Sequence, residues 1–337
     1  MTTTASGRAA WKILEQIDGA PGVPVIAIAN QKGGVGKTTS VVNLGAALAL
    51  KGYYALVIDL DPQANATTGL GLDRRAVARS TYELLSQEAA LEDVVMPTAI
   101  AGLDCAPASQ DLAGAEVELV QQAARERRLK AVLDASERRW DIVLVDCPPS
   151  LGLITVNGLL AAHGLVVPVQ CEYYALEGLG QLLNTAERVR RSLNPTLRIT
   201  GLLLTMYDGR TRLSSEVAAE VRSHFGELVF KAVVPRSVRL SEAPSYGQPV
   251  VTLDAGSRGS ISYRLVAGEL EERCALVSAA EAAREGSGGT PPPSTEGPER
   301  VPARTRQGPG GRGYGVVTAE PAGLVEAWPP ADSWTES

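Results

Sequence analysis

The sequence predicts an α/β fold with a mostly parallel, twisted sheet that carries helices on both faces. Short runs of β-branched and other apolar residues alternate along the chain with longer, Ala- and Leu-rich stretches at helical spacing. The short runs are apolar at consecutive positions, which is typical of parallel strands buried on both sides. The first run is followed at once by a glycine-rich loop and a helical stretch, the strand–loop–helix order expected in such a sheet.

The predicted elements lie within residues 23–283. The strand runs, in chain order, are VPVIAIAN (23–30), ALVIDLD (55–61), LDCAPAS (103–109), DIVLVDCPP (141–149), GLVVPVQ (164–170) and ITGLLLTMYD (199–208). The helical stretches include TTSVVNLGAALALKG (38–52), AEVELVQQAARERRLKAVLDASE (115–137) and LEGLGQLLNTAERVRRSLN (176–194). Gly52 is placed to end the first of these helices, because glycine tolerates the backbone conformation found at helix C-termini.

Two flanking segments differ from this domain in composition. Residues 1–22 are interpreted as a short flanking helix or frayed terminus, and a partner-binding arm is the alternative. Residues 284–337 begin rich in Gly and Pro and contain few large apolar residues, so we expect a disordered tail. The tail ends in an acidic stretch with Trp328 and Trp334, for which a short docking motif is the alternative.

The bulk composition excludes several classes of protein. The chain has 337 residues, 45% of them hydrophobic, which is enough for one large or two modest domains. The net charge of −6 excludes binding to nucleic acid through overall charge, so such a contact needs a local patch. The four cysteines form no C-x-x-C pair, which is typical of a reduced, cytoplasmic chain. No signal-peptide pattern and no apolar run near the ~20 residues of a membrane span is present, so we expect no membrane segment.

The loop ANQKGGVGKTTS (29–40) closely matches the phosphate-binding pattern G-x-x-x-x-G-K-[ST]. Its glycines let backbone N–H groups point at phosphate oxygens, and the following helix N-terminus adds its positive end. Lys37 is expected to contact the β- and γ-phosphates, and the Thr38 hydroxyl to ligate Mg²⁺. The predicted nucleotide-binding residues of the loop are Gly33, Gly34, Val35, Gly36, Lys37, Thr38 and Thr39. Gln31 stands where the pattern has its first glycine, and a second lysine, Lys32, follows it.

Acidic residues stand at the ends of two predicted strands. Asp146 ends the strand DIVLVD at the Walker B position, where a carboxylate holds an Mg²⁺-bound water. Asp59 and Asp61 end the strand ALVIDLD, in the crevice where open α/β sheets bind ligands. A solvated strand-end acid is the alternative for each. Together with the loop, these residues predict a P-loop nucleoside triphosphatase.

Several motifs resemble one family within this class. QKGGVGKTT (31–39) resembles the deviant Walker A motif of the ParA/Soj/MinD ATPases. The stretches similar to ParA/Soj chromosome- and plasmid-partitioning proteins in particular are DLDPQANATTGLG (59–71), DCPPSLG (146–152), EYYALEGL (172–179), LTMYDGRTRLS (204–214) and PRSVRLSEAPSYGQP (235–249). The motifs occur in the family's order over residues 23–276, and Gln31 is common in the resembled loop.

The resemblance implies a role for each matching position. Lys32 would reach across a homodimer interface to the phosphates on the other subunit, so that two subunits sandwich two ATP molecules. Lys32, Lys37 and Asp61 would be the catalytic residues, with Asp61 orienting the attacking water. Asp146 and Thr38 would support Mg²⁺, and Met206 and Pro235 would flank the adenine. Slow ATP hydrolysis, stimulated by a ParB-type centromere-binding partner, would drive chromosome or plasmid segregation in the cytoplasm, on the nucleoid.

The family also implies nonspecific binding to double-stranded DNA by the ATP-bound dimer. Nonspecific affinity depends on the number of phosphates contacted, so an acidic protein can bind through a local basic patch that dimerisation doubles. The candidate patch consists of Arg210, Arg212, Arg236, Arg239 and Arg258. Arg210 and Arg239 match DNA-binding positions of the resembled proteins. A solvated charge or a local ion pair is the alternative for each arginine.

Three other functions have less support from the sequence. A MinD-like switch at the membrane would need a basic amphipathic helix at the C-terminus, whereas this chain ends in Pro/Gly-rich and then acidic residues. An iron–sulfur reductase would need a cysteine pair, and only Cys147 adjoins the predicted site. A metabolic P-loop enzyme would need a substrate pocket, for which the sequence holds no motif.

Overall fold

In the computed structural model, the described residues are 23–138, 140–172 and 175–276. The predicted leader 1–22, the predicted tail 284–337 and the domain boundary at 283 lie outside them. The described part contains seven strands in one sheet: β1 Val25–Ile28, β2 Ala55–Asp59, β3 Met96–Pro97, β4 Leu103–Ala106, β5 Ile142–Asp146, β6 Gly164–Gln170 and β7 Arg198–Thr205.

The sheet order is β3-β4-β2-β5-β1-β6-β7. All neighbouring strands are parallel except β3, which pairs antiparallel with β4. Register places Ile28 and Asp59 on either side of Asp146, so the carboxyl ends of β1, β2 and β5 meet at one edge. The predicted mostly parallel sheet is confirmed. The strand order changes direction at β1 and β5, and folds of this kind bind ligands at such a topological switch point.

Helices cover both faces of the sheet. The α-helices of the described residues are α1 Lys37–Leu50, α2 Asn65–Gly69, α3 Thr81–Ser86, α4 Leu91–Val94, α5 Leu112–Leu119, α6 Arg128–Ala135, α7 Leu153–Ala161, α8 Ala175–Ser192, α9 Arg212–Phe225, α10 Val238–Glu242, α11 Val250–Leu253 and α12 Arg258–Cys274. Short 3-10 turns lie at Arg125–Arg127, Gly226–Leu228 and Ala243–Tyr246.

The core has two parts, one on each face. On one face α1 and α12 bury Leu44, Leu48, Tyr263 and Val266 against the strands. On the other face, the packed residues come from α3 to α9 and include Leu84, Leu112, Leu129, Leu159, Leu182 and Val221. Helix α1 is buried over most of its length, which agrees with its run of small and apolar residues.

The helix expected over residues 115–137 was wrong as one continuous element. Helix α5 ends at Leu119, and α6 begins only at Arg128. Between them Ala124 has φ 52°, a left-handed conformation that an α-helix cannot contain. The stretch between the two helices contains no proline or glycine, so the sequence pattern did not reveal the break.

Candidate functional site

The phosphate loop lies between β1 and α1 and depends on two left-handed glycines. Gly34 has φ 75° and Gly36 has φ 90°, and Gly36 is the N-cap of α1. A side chain at either position would be strained, whereas glycine adopts the conformation freely. The sharp turn ends at the helix N-terminus, whose unpaired N–H groups form an anion-binding site.

Side-chain hydrogen bonds to two other strands, β6 and β7, hold the loop in place. Asn30 donates from Nδ2 to the Pro168 carbonyl at 2.7 Å, and its Oδ1 accepts from the Lys32 backbone N–H at 3.0 Å. Thr205, at the end of β7, donates from Oγ1 to the Val35 carbonyl at 2.8 Å. Both side chains are buried. The loop is therefore fastened to β6 and β7, a role of Asn30 and Thr205 that no sequence pattern had indicated.

The two lysines of the loop have different environments. Lys37 is 7% exposed, and its ammonium donates to the Lys32 carbonyl at 3.3 Å. Burial lowers the pKa of Lys37, and the Asp146 and Asp61 carboxylates oppose that shift. Lys32 is partly exposed, and its ammonium pairs with Glu172 Oε2 at 3.3 Å. The Lys37 ammonium therefore lies against the backbone of the loop, whereas the Lys32 ammonium lies against Glu172.

Asp146 is buried at the end of β5 and faces Thr38 and Lys37. Neither carboxylate oxygen has a hydrogen-bond partner among the described residues. Burial raises the pKa of Asp146 well above its usual range, Asp59 adds to the rise, and Thr38 and Lys37 oppose it. The Thr38 hydroxyl exerts that effect without reaching hydrogen-bond geometry. A buried carboxylate with free oxygens beside a hydroxyl fits Mg²⁺, which takes oxygen ligands and keeps several waters.

Asp59 and Asp61, which look alike in the sequence, differ in the structure. Asp59 is fully buried and accepts from the Asp61 N–H at 3.1 Å and from the N–H and hydroxyl of Thr67 at 2.9 and 2.7 Å. Burial raises the pKa of Asp59 to about 6. Asp61 is 8% exposed, and its Oδ1 accepts from the Gln63 N–H at 2.9 Å. Asp59 thus braces the segment that presents Asp61, and Thr67, which sequence reasoning missed, is its partner.

The positions predicted to flank the adenine lie near one another past the end of β7. Met206 has φ 51°, and Tyr207 forms a parallel bridge with Pro235. The Tyr207 N–H donates to the Val234 carbonyl at 3.1 Å, which fixes this pairing. Met206 Sδ lies 3.3 Å from Gln170 Nε2 at the end of β6. Met206 and Pro235 therefore lie at the carboxyl-terminal ends of the strands, on the same side of the sheet as the phosphate loop.

The predicted DNA-binding arginines are exposed and fall into two groups. Arg210 and Arg212 lie after β7, where Arg210 pairs with Asp208 at 2.8 Å and Arg212 with Glu216 at 2.6 Å. Hydrogen bonds from Arg210, with Arg236 nearby, lower the pKa of Asp208 to about 2. Arg239 and Arg258 belong to the second group. Arg239 pairs with Glu242 and with Asp254, and Arg258 follows Asp254 by four residues. The local ion pair, which was the alternative interpretation, is thus present for Arg210, Arg212 and Arg239. A DNA phosphate would compete with these carboxylates.

Comparison with known proteins decides the family. A family model described as an AAA domain matches residues 23–199. The sporulation initiation inhibitor protein Soj of Bacillus subtilis is 52% identical over 246 residues, which cover 73% of this chain and 97% of Soj. The chromosome partitioning protein ParA of Caulobacter vibrioides is 52% identical over 251 residues, covering 74% of this chain and 94% of ParA. The chain belongs to the ParA/Soj family.

Solved structures agree with this ParA/Soj fold. A structure described as cobyrinic acid a,c-diamide synthase from Mycobacterium smegmatis, with bound ATP analog and magnesium, has a TM-score of 0.64 and 40% identity. It covers 73% of this chain and 93% of its own. MinD of Pyrococcus horikoshii, complexed with Mg-ADP, has a TM-score of 0.62 and 26% identity, covering 74% and 96%. The predicted family and fold class are confirmed.

Among the described residues, the helices are either too short or too polar to cross a bilayer. The site residues themselves stay predictions, but the structure gathers the loop residues, Asp61 and Asp146 at one sheet edge, with Met206 and Pro235 beside them.

Proposed function

We propose that this ParA/Soj protein is a DNA-segregation ATPase that binds ATP with Mg²⁺ and acts as an ATP-dependent sandwich dimer. The observation that carries the proposal is the pair of lysines on one phosphate loop. Lys37 is buried over the cradle, whereas Lys32 points away from it toward Glu172. A lysine that does not contact the phosphates bound by its own loop can contact the phosphates bound by a second subunit.

Different residues of the site bind the phosphates, hold Mg²⁺ and orient the attacking water. Loop N–H groups and Lys37 bind the β- and γ-phosphates, and Thr38 and Asp146 hold Mg²⁺, which neutralises charge on the phosphate oxygens. Asp61, braced by Asp59, orients the attacking water. Lys32 of the second subunit stabilises charge that develops on the transferred phosphoryl group, as an arginine finger does. Hydrolysis then removes the group that holds the two subunits together.

The dimer would bind double-stranded DNA without sequence preference through Arg210, Arg236, Arg239 and Arg258. Dimerisation doubles the number of phosphates contacted, so affinity follows the nucleotide state. A ParB-type centromere-binding protein would stimulate slow hydrolysis and release the dimer, in the cytoplasm on the nucleoid. The name of the Caulobacter vibrioides relative, a chromosome partitioning protein that is 52% identical to this chain, supports this assignment.

Two other functions have weaker support. A MinD-like switch on a membrane or another cargo is supported by a fold likeness at 26% identity. A metabolic synthase is supported by the name of a structure at 40% identity, below the 52% of the partitioning relatives. Failure to bind DNA in every nucleotide state would favour these readings.

The test is binding to random-sequence duplex DNA with ATP, with ADP and without nucleotide, across a salt series. Wild type and Asp61→Ala should bind only with ATP, and Arg239→Glu should bind weakly with a smaller salt dependence, because phosphate contacts are lost. Arg188→Glu is the matched control, since Arg188 is an exposed arginine of α8 outside the proposed patch. Equal binding with ATP and ADP, or equal loss in Arg188→Glu, would contradict the proposal.

A further inference from the structure

The contact between Lys32 and Glu172 forms within one subunit. Lys32 Nζ lies 3.3 Å from Glu172 Oε2. The other carboxylate oxygen of Glu172 accepts from Gln170 Nε2 at 2.6 Å, and its backbone N–H donates to the Gln170 carbonyl at 2.8 Å. Glu172 lies two residues after the end of β6, and its hydrogen bonds to Gln170 at that strand end hold it beside the loop. The carboxylate is thus presented to Lys32 by a hydrogen-bonded support.

This contact competes with the role proposed for Lys32. A lysine ammonium that contacts phosphates of a second subunit has to leave its carboxylate partner, or share it, in each of the two subunits. The two side chains are 38% and 47% exposed, so water and salt screen their attraction. The pair is therefore weak enough to open when the dimer forms, yet strong enough to bias the single subunit.

We infer that Glu172 is a positioning residue that holds Lys32 in its own subunit and thereby weakens the ATP-dependent dimer. The inference rests on the proposed sandwich dimer and adds to it a restraint on dimer formation. In this arrangement a subunit without a partner has both loop lysines engaged, Lys37 on the Lys32 carbonyl and Lys32 on Glu172. Dimer formation then requires both subunits to exchange the Glu172 contact for a phosphate contact.

The size of the effect follows from the exposure of the pair. Exposed ion pairs change an equilibrium by about 1.4- to 5-fold each, and one dimer opens two of them. Glu172→Gln should therefore lower the dimer dissociation constant by about 2- to 25-fold. The amide oxygen of glutamine still accepts from Gln170, so this substitution removes the charge and keeps the support. Glu172→Ala, which removes both, should change the constant in the same direction.

The experiment measures the dimer dissociation constant by sedimentation, with a non-hydrolysable ATP analogue and Mg²⁺. Wild type is compared with Glu172→Gln, Glu172→Ala and Glu227→Gln. Glu227 is an exposed glutamate in the 3-10 turn after α9, where its backbone carbonyl pairs with Arg273, so Glu227→Gln controls for the loss of one negative charge. We expect tighter dimers only for the two Glu172 variants, and the difference from wild type should shrink as salt rises toward ~0.5 M.

A second comparison shows whether the effect passes through Lys32. The double variant Lys32→Ala with Glu172→Gln should stay monomeric like Lys32→Ala alone. An unchanged or weaker dimer in Glu172→Gln, a difference that ignores salt, or a dimer restored in the double variant would each overturn the inference. An absence of any ATP-dependent dimer in wild type would instead refute the proposed function on which it rests.

Discussion

At the scale of single residues, neighbouring side chains of one type have separate roles because their environments differ. Burial lowers the pKa of Lys37, while Lys32 of the same loop lies partly in solvent against Glu172. Asp59 has its hydrogen bonds satisfied by Thr67 and the Asp61 backbone, whereas Asp146 has two buried oxygens without a partner among the described residues. The Asp59 carboxylate is thus occupied by contacts within the fold, whereas the unpaired oxygens of Asp146 make it the candidate for holding a ligand.

A prediction at this scale concerns the support of Asp59. Thr67→Val keeps the shape of the side chain but removes the hydroxyl that donates to the buried carboxylate at 2.7 Å. A hydrogen bond to a charged group contributes ~1.5–3 kcal/mol, so the free energy of unfolding should fall by about that amount. Urea denaturation measures it. Thr68→Val is the control, because its hydroxyl donates only to carbonyls of its own helix, and an equal loss in both variants would contradict the role of Thr67.

Sequence alone found the residues of the loop but not their long-range partners. The pattern at 29–40 predicted the turn, and Gly34 and Gly36 adopt the left-handed conformations that it requires. The pair of Lys32 and Glu172 joins positions 140 residues apart, and the contact of Thr67 with Asp59 depends on how α2 turns back. The first contact follows from the order of strands in the sheet, which places β6 beside β1, and the second from the path of the chain after β2; local patterns specify neither.

At the scale of elements, the helix that follows the phosphate loop, α1, is tied to residues 238–274, which include Arg239 and Arg258. Asn43 of α1 accepts from the Val251 N–H at 3.3 Å, and Ser40 lies 3.1 Å from the Tyr263 hydroxyl of α12. The backbone after α2 also approaches the same residues closely at Gly71 and Gly247. A Cβ added to Gly71 would lie only 2.9 Å from the Gly247 carbonyl oxygen. Elements that hold the nucleotide loop and elements that present arginines are therefore packed directly together.

The contact of Gly71 with Gly247 gives a prediction at this scale. Gly247 has φ 60°, and a Cβ there would lie 3.0 Å from the Gly71 Cα. Gly247→Ala should lower the free energy of unfolding by ~1–3 kcal/mol, because a left-handed alanine is strained and the backbones must separate. Thermal or urea denaturation measures it. Gly256→Ala, where nothing lies within 4 Å of the added Cβ, is the matched control, and equal stability of the two variants would show that the close approach is unimportant.

Elements were predicted well where strands are long and buried. They were predicted poorly where an element is short or where a helical stretch is interrupted. The runs at 141–149 and 164–170 contain β5 and β6 almost as expected. The antiparallel β3 is only Met96–Pro97, too short for a periodic pattern, and the break at Ala124 leaves no apolar signal. The acids that end β2 and β5 lie side by side, as expected, because the carboxyl ends of parallel strands share one edge of the sheet.

At the scale of the whole molecule, a chain with a net charge of −6 would bind DNA through a local set of exposed arginines, for which the candidates are Arg210, Arg212, Arg236, Arg239 and Arg258. Three of them, Arg210, Arg212 and Arg239, are already paired with carboxylates. One subunit alone would therefore bind DNA weakly, and a dimer that doubles the patch would bind more strongly. The proposed function depends on an ATP-dependent dimer, in which Lys32 would make assembly sensitive to the nucleotide.

The most direct measurement is sedimentation of wild type and Lys32→Ala with Mg²⁺ and either ADP or a non-hydrolysable ATP analogue, alongside nucleotide-binding titrations of each. Wild type should change from monomer to dimer only with the ATP analogue. Lys32→Ala should still bind nucleotide, because Lys37 and the loop N–H groups are intact, yet stay monomeric. A normal ATP-dependent dimer of Lys32→Ala would contradict the central claim that this lysine acts across the interface.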